Sequence, residues 1–164
     1  MRFTTYLVGA TIVIGSYYLT ANASELDCTV TRIIDGDTVE CTNHDAPYQK
    51  TVRISDIDAP EKGQPYGQEA NDILEKVLLD REVIVHNKGT DRYGRTIGEI
   101  ELEKQNVGLL LVVNGYAWHY AKYSNNSAFI TAQDQAKKEH LGLWDQENPK
   151  SPWDFRKEKT KISD

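Results

Sequence analysis

The sequence predicts an α+β fold, mainly β: a small five-stranded barrel with three helices. Three observations predict it. Three short segments rich in β-branched residues follow one another between residues 28 and 57. A helix with one apolar stripe comes directly after them. Two further strands and two more helices complete the pattern by residue 140.

Each element has a local cause. Residues 28–34 (Cys-Thr-Val-Thr-Arg-Ile-Ile) read as a strand, Asp35-Gly36-Asp37 as a turn, and Thr38 to Cys41 as the returning strand. Polar Thr42 to Lys50 reads as a loop. Thr51 to Ile57 alternates, with Val52 and Ile54 on one face and Arg53 and Ser55 on the other. Pro60 stops it. From Gly67 to Asp80, residues Ala70, Ile73, Leu74, Val77 and Leu78 recur at helical spacing and form one apolar stripe. Glu82 to His86 and Arg95 to Leu102 read as strands joined by a hairpin over Lys88 to Gly94. Gln105 to Asn114 reads as a short helix that Gly115 can end. Asn126 to His140 reads as a third helix. Five strands with a helix after the third match the plan of an OB-fold barrel, which hosts both binders and enzymes.

The two ends read differently from the middle. Arg2 is the only charged residue before Glu25, and Tyr6 to Leu19 is mostly apolar. Ala21-Asn22-Ala23 supplies a small-x-small cleavage pattern. The apolar run falls short of the ~20 residues of a comfortable membrane span. Residues 1–23 therefore read as a cleaved secretory signal, with an uncleaved anchor as the alternative. Residues 24–146 then form one domain, and 147–164 a polar tail. Trp144 and Trp153 are expected to pin part of that tail, while Lys157 to Asp164 frays. An exported chain, periplasmic or extracellular, can keep a disulfide. Cys28 and Cys41 flank the first turn on strands expected to pair, so they read as a cross-hairpin bridge or as two free thiols.

Composition restricts function. The chain carries a formal charge of −6, and losing Arg2 would make it one unit more acidic. A binder relying on a broad basic face is excluded, because such a face supplies non-specific nucleic-acid affinity. Any phosphate binding must be local. His44, His86, His119 and His140 show no ligand spacing, and no Gly-x-Ser-x-Gly, phosphate-binding Gly-rich loop or Cys-x-x-Cys is present.

Three stretches remain: Ile34-Asp35-Gly36-Asp37-Thr38-Val39, then Arg53 followed by Asp58-Ala59-Pro60-Glu61, then Asp91-Arg92-Tyr93-Gly94-Arg95. Asp37, Asp58 and Glu61 lie at strand ends, where a small barrel can gather them. An oxygen-only ligand set suits Ca²⁺ rather than zinc or copper. Arg53 sits mid-strand among apolar residues, where a charge needs a partner. Taken singly, each stretch also reads as a plain turn, a strand end or a salt bridge.

In this order and spacing, the three stretches resemble the staphylococcal nuclease family over roughly Thr29 to Trp144. The resemblance implies a secreted, Ca²⁺-dependent nuclease acting on both DNA and RNA and leaving 3′-phosphates. It implies that Asp37 and Asp58 ligate the cation together with the backbone carbonyl of Ala59, where the family often has Thr. It also implies that Glu61 orients or deprotonates the attacking water. Arg53 and Arg95 would grip the scissile phosphate, and Tyr93 and Tyr123 would line the nucleotide pocket. Ala121 stands where a further pocket tyrosine is expected, and Lys62 to Tyr66 is shorter than the loop of the best-known member, which lacks cysteines. Single-stranded or frayed substrate, a monomer and no lasting membrane association complete the expectation. The alternative is an inactive OB-fold that only binds nucleic acid.

Overall fold

The structure is a computed structural model that describes residues 25–44 and 48–163. The N-terminal segment expected to be a signal lies outside them. The elements run β1 (Glu25–Asp35), β2 (Thr38–Asn43), β3 (Gln49–Ile54), β4 (Ile57–Asp58), α1 (Gly67–Leu78), β5 (Glu82–Thr90) and β6 (Thr96–Leu102). They continue with β7 (Gln105–Asn106), α2 (Val107–Val113), β8 (Trp118–His119), α3 (Ser127–Lys138), a 3-10 turn (Gly142–Asp145) and α4 (Pro152–Ser163).

Five strands close into a barrel. β1 pairs antiparallel with β2 and β5, β2 with β3, and β5 with β6. The parallel β3–β6 contact, Val52 opposite Thr96 through Ile54 opposite Gly98, shuts the ring. The expected OB-type barrel is therefore present. Alternation puts Val30, Val39, Val52, Ile54, Val85 and Ile100 inside, all essentially fully buried. α1 covers the barrel with Ala70, Leu74 and Leu78, the expected stripe. α2 and α3 close it with Val107, Leu111 and Phe129. Asn106 and Asn126 start those two helices by accepting the Leu109 and Ala128 N–H groups.

Several boundaries differ from expectation: the strand expected over Thr51 to Ile57 starts at Gln49 and breaks at a Ser55–Asp56 turn, and Gln105–Asn106 pair with β6 rather than opening α2. β5 continues to Thr90, because a bulge between Asn87 and Gly89 lets the strand bend without ending; the hairpin turn is Asp91–Arg95. The tail does not fray at Lys157. It forms a fourth helix through Ser163, started by the Ser151 hydroxyl accepting the Asp154 N–H, with Pro152 in its first turn. Trp153 pins that helix, stacking on Tyr120 with centroids 5.4 Å apart and meeting the Trp118 edge at 5.5 Å.

Cys28 and Cys41 form the disulfide, with Cα atoms 5.7 Å apart and both residues fully buried. Val30 is the partner of Cys41 and Asn43 that of Cys28, so the bridge runs diagonally across β1 and β2. No helix among the described residues is long and apolar enough to cross a membrane.

Candidate active site

The site begins at the turn between β1 and β2. Asp35 accepts the Asp37 N–H at 3.1 Å and bends the chain around Gly36. A Cβ on Gly36 would lie 2.9 Å from both Ala59 and Ala70 Cβ. Close approach, not a positive φ, therefore requires glycine there. That approach brings Asp37 against the β4 segment, where its Oδ2 accepts the Ala59 N–H at 2.7 Å.

Strand register supplies the first arginine. Arg53 on β3 stands opposite Thr38, one residue from Asp37. Its Nε donates to Asp37 Oδ1 at 2.9 Å and its Nη2 to Asp58 Oδ1 at 3.1 Å. Nη1 donates to the Ile54 and Ile57 carbonyls at 2.6 and 3.0 Å. Guanidinium has five N–H groups, so one N–H of Nη2 is left. Asp58 is 1% exposed and is held by the two-residue pairing of β4 with β8. Burial pushes the Asp37 carboxyl up to about 7; the Asp35 and Asp58 charges add to this, and Arg53 and the Ala59 N–H oppose it.

Glu61 follows Pro60 in a short, well-tied loop. Buried Gln64 accepts the Glu61 N–H at 3.0 Å and donates to the Lys150 carbonyl at 2.7 Å. A Cβ on Gly67 would fall 2.1 Å from the Glu61 carbonyl oxygen, so the helix start and the loop fit only with glycine at that contact. The short segment from Lys62 to Tyr66 is thus a turn fixed at both ends. Sequence reasoning missed Gln64; a polar residue inside a Pro-bounded loop gives no periodic signal.

The structure adds a residue that the sequence did not suggest. Arg156 on α4 donates from Nη2 to Asp58 Oδ2 at 2.6 Å and from Nη1 to Asp58 Oδ1 at 3.1 Å. Its Nη1 also donates to Glu61 Oε1 at 2.5 Å. Burial lowers its pKa, but the hydrogen bonds to Asp58 and Glu61 outweigh this and hold it firmly protonated. Asp37, Arg53, Asp58, Arg156 and Glu61 thus form one connected chain of charges. Among the described residues, no three Asp, Glu, His or Cys side chains close on one another as a metal cage. Guanidinium groups stand between the carboxylates instead. The donor set nevertheless fits a hard cation: it offers oxygens only, two of the carboxylates are buried, and Asp58 and Glu61 already share one cationic group.

Arg95 sits in the turn that leads into β6. Asp91 organises that turn, accepting the Tyr93 and Arg95 N–H groups at 2.9 and 3.0 Å and Arg95 Nε at 2.7 Å. Arg53 pairs with Ile97, and Arg95 lies two residues before Ile97. In-register pairing puts Arg53 and Ile97 on the same face, and Arg95 lies in the turn at the start of β6, beside that face. Tyr93 and Tyr123 are 69% and 71% exposed. They belong to separate aromatic groups: Arg92 and Arg95 lie over Tyr93, whereas Tyr123 meets the edge of Tyr120 at 4.9 Å.

Comparison with known proteins decides what this arrangement is. Residues 51–146 match the family model described as staphylococcal nuclease homologue. The chain belongs to the staphylococcal nuclease family. It is 38% identical over 131 residues to an uncharacterized endonuclease of Haemophilus influenzae, covering 80% of this chain and 73% of that protein. It is 34% identical to a micrococcal nuclease of Shigella flexneri, covering 78% and 79%. The protein ParB of Escherichia coli is 36% identical, covering 82% and 81%. A staphylococcal nuclease family barrel with these relatives is a nuclease, a hydrolase whose substrate is nucleic acid.

Proposed function

We propose that this chain is an exported, Ca²⁺-dependent nuclease that cuts both DNA and RNA, prefers single-stranded or frayed regions, leaves 3′-phosphates and works as a monomer. The observation that carries the reading is the charge chain that links Asp37, Arg53 and Asp58 directly and reaches Glu61 through Arg156. Residues on four separate segments meet there, three carboxylates and two guanidinium groups, which suit a cation and a phosphodiester. The disulfide and the small-x-small site after the apolar N-terminus support export.

In this reading Asp37, Asp58 and the Ala59 carbonyl hold the cation. When bound, the cation supplies Lewis-acid charge and a template for in-line attack. Glu61 accepts the proton of the attacking water as the oxygen–phosphorus bond forms. Arg95, tied to Asp91 through Nε and with no Nη hydrogen bond among the described residues, takes two phosphate oxygens. Arg53 turns its remaining N–H to the same phosphate while locking the two aspartates. The bond from phosphorus to the 5′-oxygen breaks, and the leaving oxygen takes a proton from solvent. Tyr93 and Tyr123 stack on whichever base is present, so cutting is independent of sequence.

The test is digestion of single-stranded DNA, duplex DNA and RNA in calcium, in magnesium and in chelator, with the new ends analysed for phosphate. Calcium-dependent cleavage of DNA and RNA with 3′-phosphate ends is expected. Binding without calcium-dependent cleavage would leave only an OB-fold binder.

A further inference from the structure

We propose that Arg156 is an exchangeable cation of this site: it occupies Asp58 and Glu61 in the metal-free protein, yields them to the metal, and then meets the substrate phosphate. The proposal rests on the metal-dependent reading above. Arg156 covers both oxygens of Asp58, at 2.6 and 3.1 Å, and one oxygen of Glu61. A calcium ion needs carboxylate oxygens at about 2.3–2.6 Å. It would compete for the same lone pairs and repel the guanidinium at that range. One cation must leave.

The two arginines on Asp58 differ in which can go. The Arg53 side chain is 13% exposed and is anchored by two backbone carbonyls as well as two aspartates. Arg156 is 41% exposed, and Asp58 and Glu61 are its only charged partners among the described residues. It also has somewhere to turn. Arg156 lines a cavity of about 520 Å³ together with Tyr120, Lys122, Trp153, Lys157 and Thr160. That lining is cationic and aromatic, the combination that attracts a phosphate backbone and stacks bases. On a chain of net charge −6, such a cluster beside buried carboxylates is a local substrate attractor.

A purely structural role for Arg156, pinning α4, predicts something different. Removing it would then leave metal affinity unchanged or weaker. The experiment is calorimetric titration of calcium chloride into substrate-free wild-type protein and into the Arg156→Gln and Arg156→Lys variants, with circular dichroism confirming that each is folded. Thymidine 5′-monophosphate, which has no diester to cut, is then titrated in saturating calcium. The Gln variant should bind calcium several-fold tighter and the mononucleotide several-fold weaker, with the Lys variant between it and wild type in both. Unchanged or weaker calcium binding by the Gln variant overturns the proposal, and so does unchanged mononucleotide binding. Absence of calcium binding by every protein overturns it together with the calcium reading. The expected pattern in a wild-type protein that fails to digest DNA would sink the nuclease mechanism alone.

Discussion

Arg53 shows how much one side chain does here. It is the shared counter-ion of Asp37, 6% exposed, and Asp58, 1% exposed. Removing one partner of a buried pair leaves an uncompensated charge and costs about 3–5 kcal/mol; here that charge is on Asp37, since Arg156 still pairs with Asp58. Arg53→Ala should therefore lose about that much stability in chelator, measured by urea unfolding, and calcium should restore part of the loss by replacing the missing positive charge. Equal destabilisation with and without calcium would detach Arg53 from the metal ligands. Glu61 behaves differently. Its side chain is 37% exposed, and its own N–H is held by Gln64. Glu61→Gln should leave urea unfolding near wild type yet lower the cleavage rate about 10²–10⁴-fold, the usual worth of a general base. A rate within a few-fold of wild type would remove Glu61 from that role.

Elements place these residues by close packing and by paired charges. The turn between β1 and β2 reaches the β4 segment only because Gly36 has no side chain. Gly36→Ala should cost about 1–3 kcal/mol through overpacking against Ala59 and Ala70. It should also weaken calcium binding, because Asp37 and Asp58 are the chain neighbours of the clashing residues; a stability loss with unchanged calcium affinity would refute that link. A second device ties the turn after β3 to β5 and β6. Burial raises the Asp56 carboxyl, but hydrogen bonds from Lys88, Ser55 and Ser124 outweigh it and hold the pKa below the ordinary value. Glu99 on β6 also faces Lys88, at 3.4 Å. A depressed folded pKa gives stability above the unfolded value of about 3.9 that is lost as pH falls through the folded one. Asp56→Asn should therefore be less stable than wild type at neutral pH, and the gap should close below about pH 4. A gap that stays constant in acid would argue against the ion pair.

At the scale of the whole molecule, the barrel and a C-terminal helix converge on the Asp37 turn, while the disulfide ties the far end of the same hairpin. The disulfide closes a sequence separation of 13 residues inside the β1–β2 hairpin that carries Asp37. A loop of that size is worth about 3 kcal/mol in the chain-entropy account. Replacing both cysteines with serine should lower stability by about that amount in urea unfolding, and dithiothreitol should destabilise wild type but not the double variant. If reductant destabilised both equally, the bridge would not be the cause. α4 then brings Arg156 to carboxylates 95 and 98 positions away in sequence.

The sequence by itself determined the OB-type barrel, the order of elements along the chain and the nuclease family, while the pairing that closes β3 on β6 came from the structure. The first three follow from the β-branched residues of β1, the alternation in β3, the stripe on α1 and three motifs whose order and spacing are read without coordinates. The sequence placed Cys28 and Cys41 on the two strands of one hairpin, leaving a bridge or two free thiols, and the register shows the bridge to be diagonal. Only the tertiary structure decided what touches the acidic residues. Arg53 on Asp37 depends on register between β2 and β3. Gln64 depends on a loop with no periodicity. Arg156 depends on α4 folding back, and nothing in a polar tail announces where its charges will land. Local patterns encode local geometry, whereas an ion pair between Arg156 and Asp58 exists only after burial of Trp153 against Tyr120 and Trp118 has set the position of the helix.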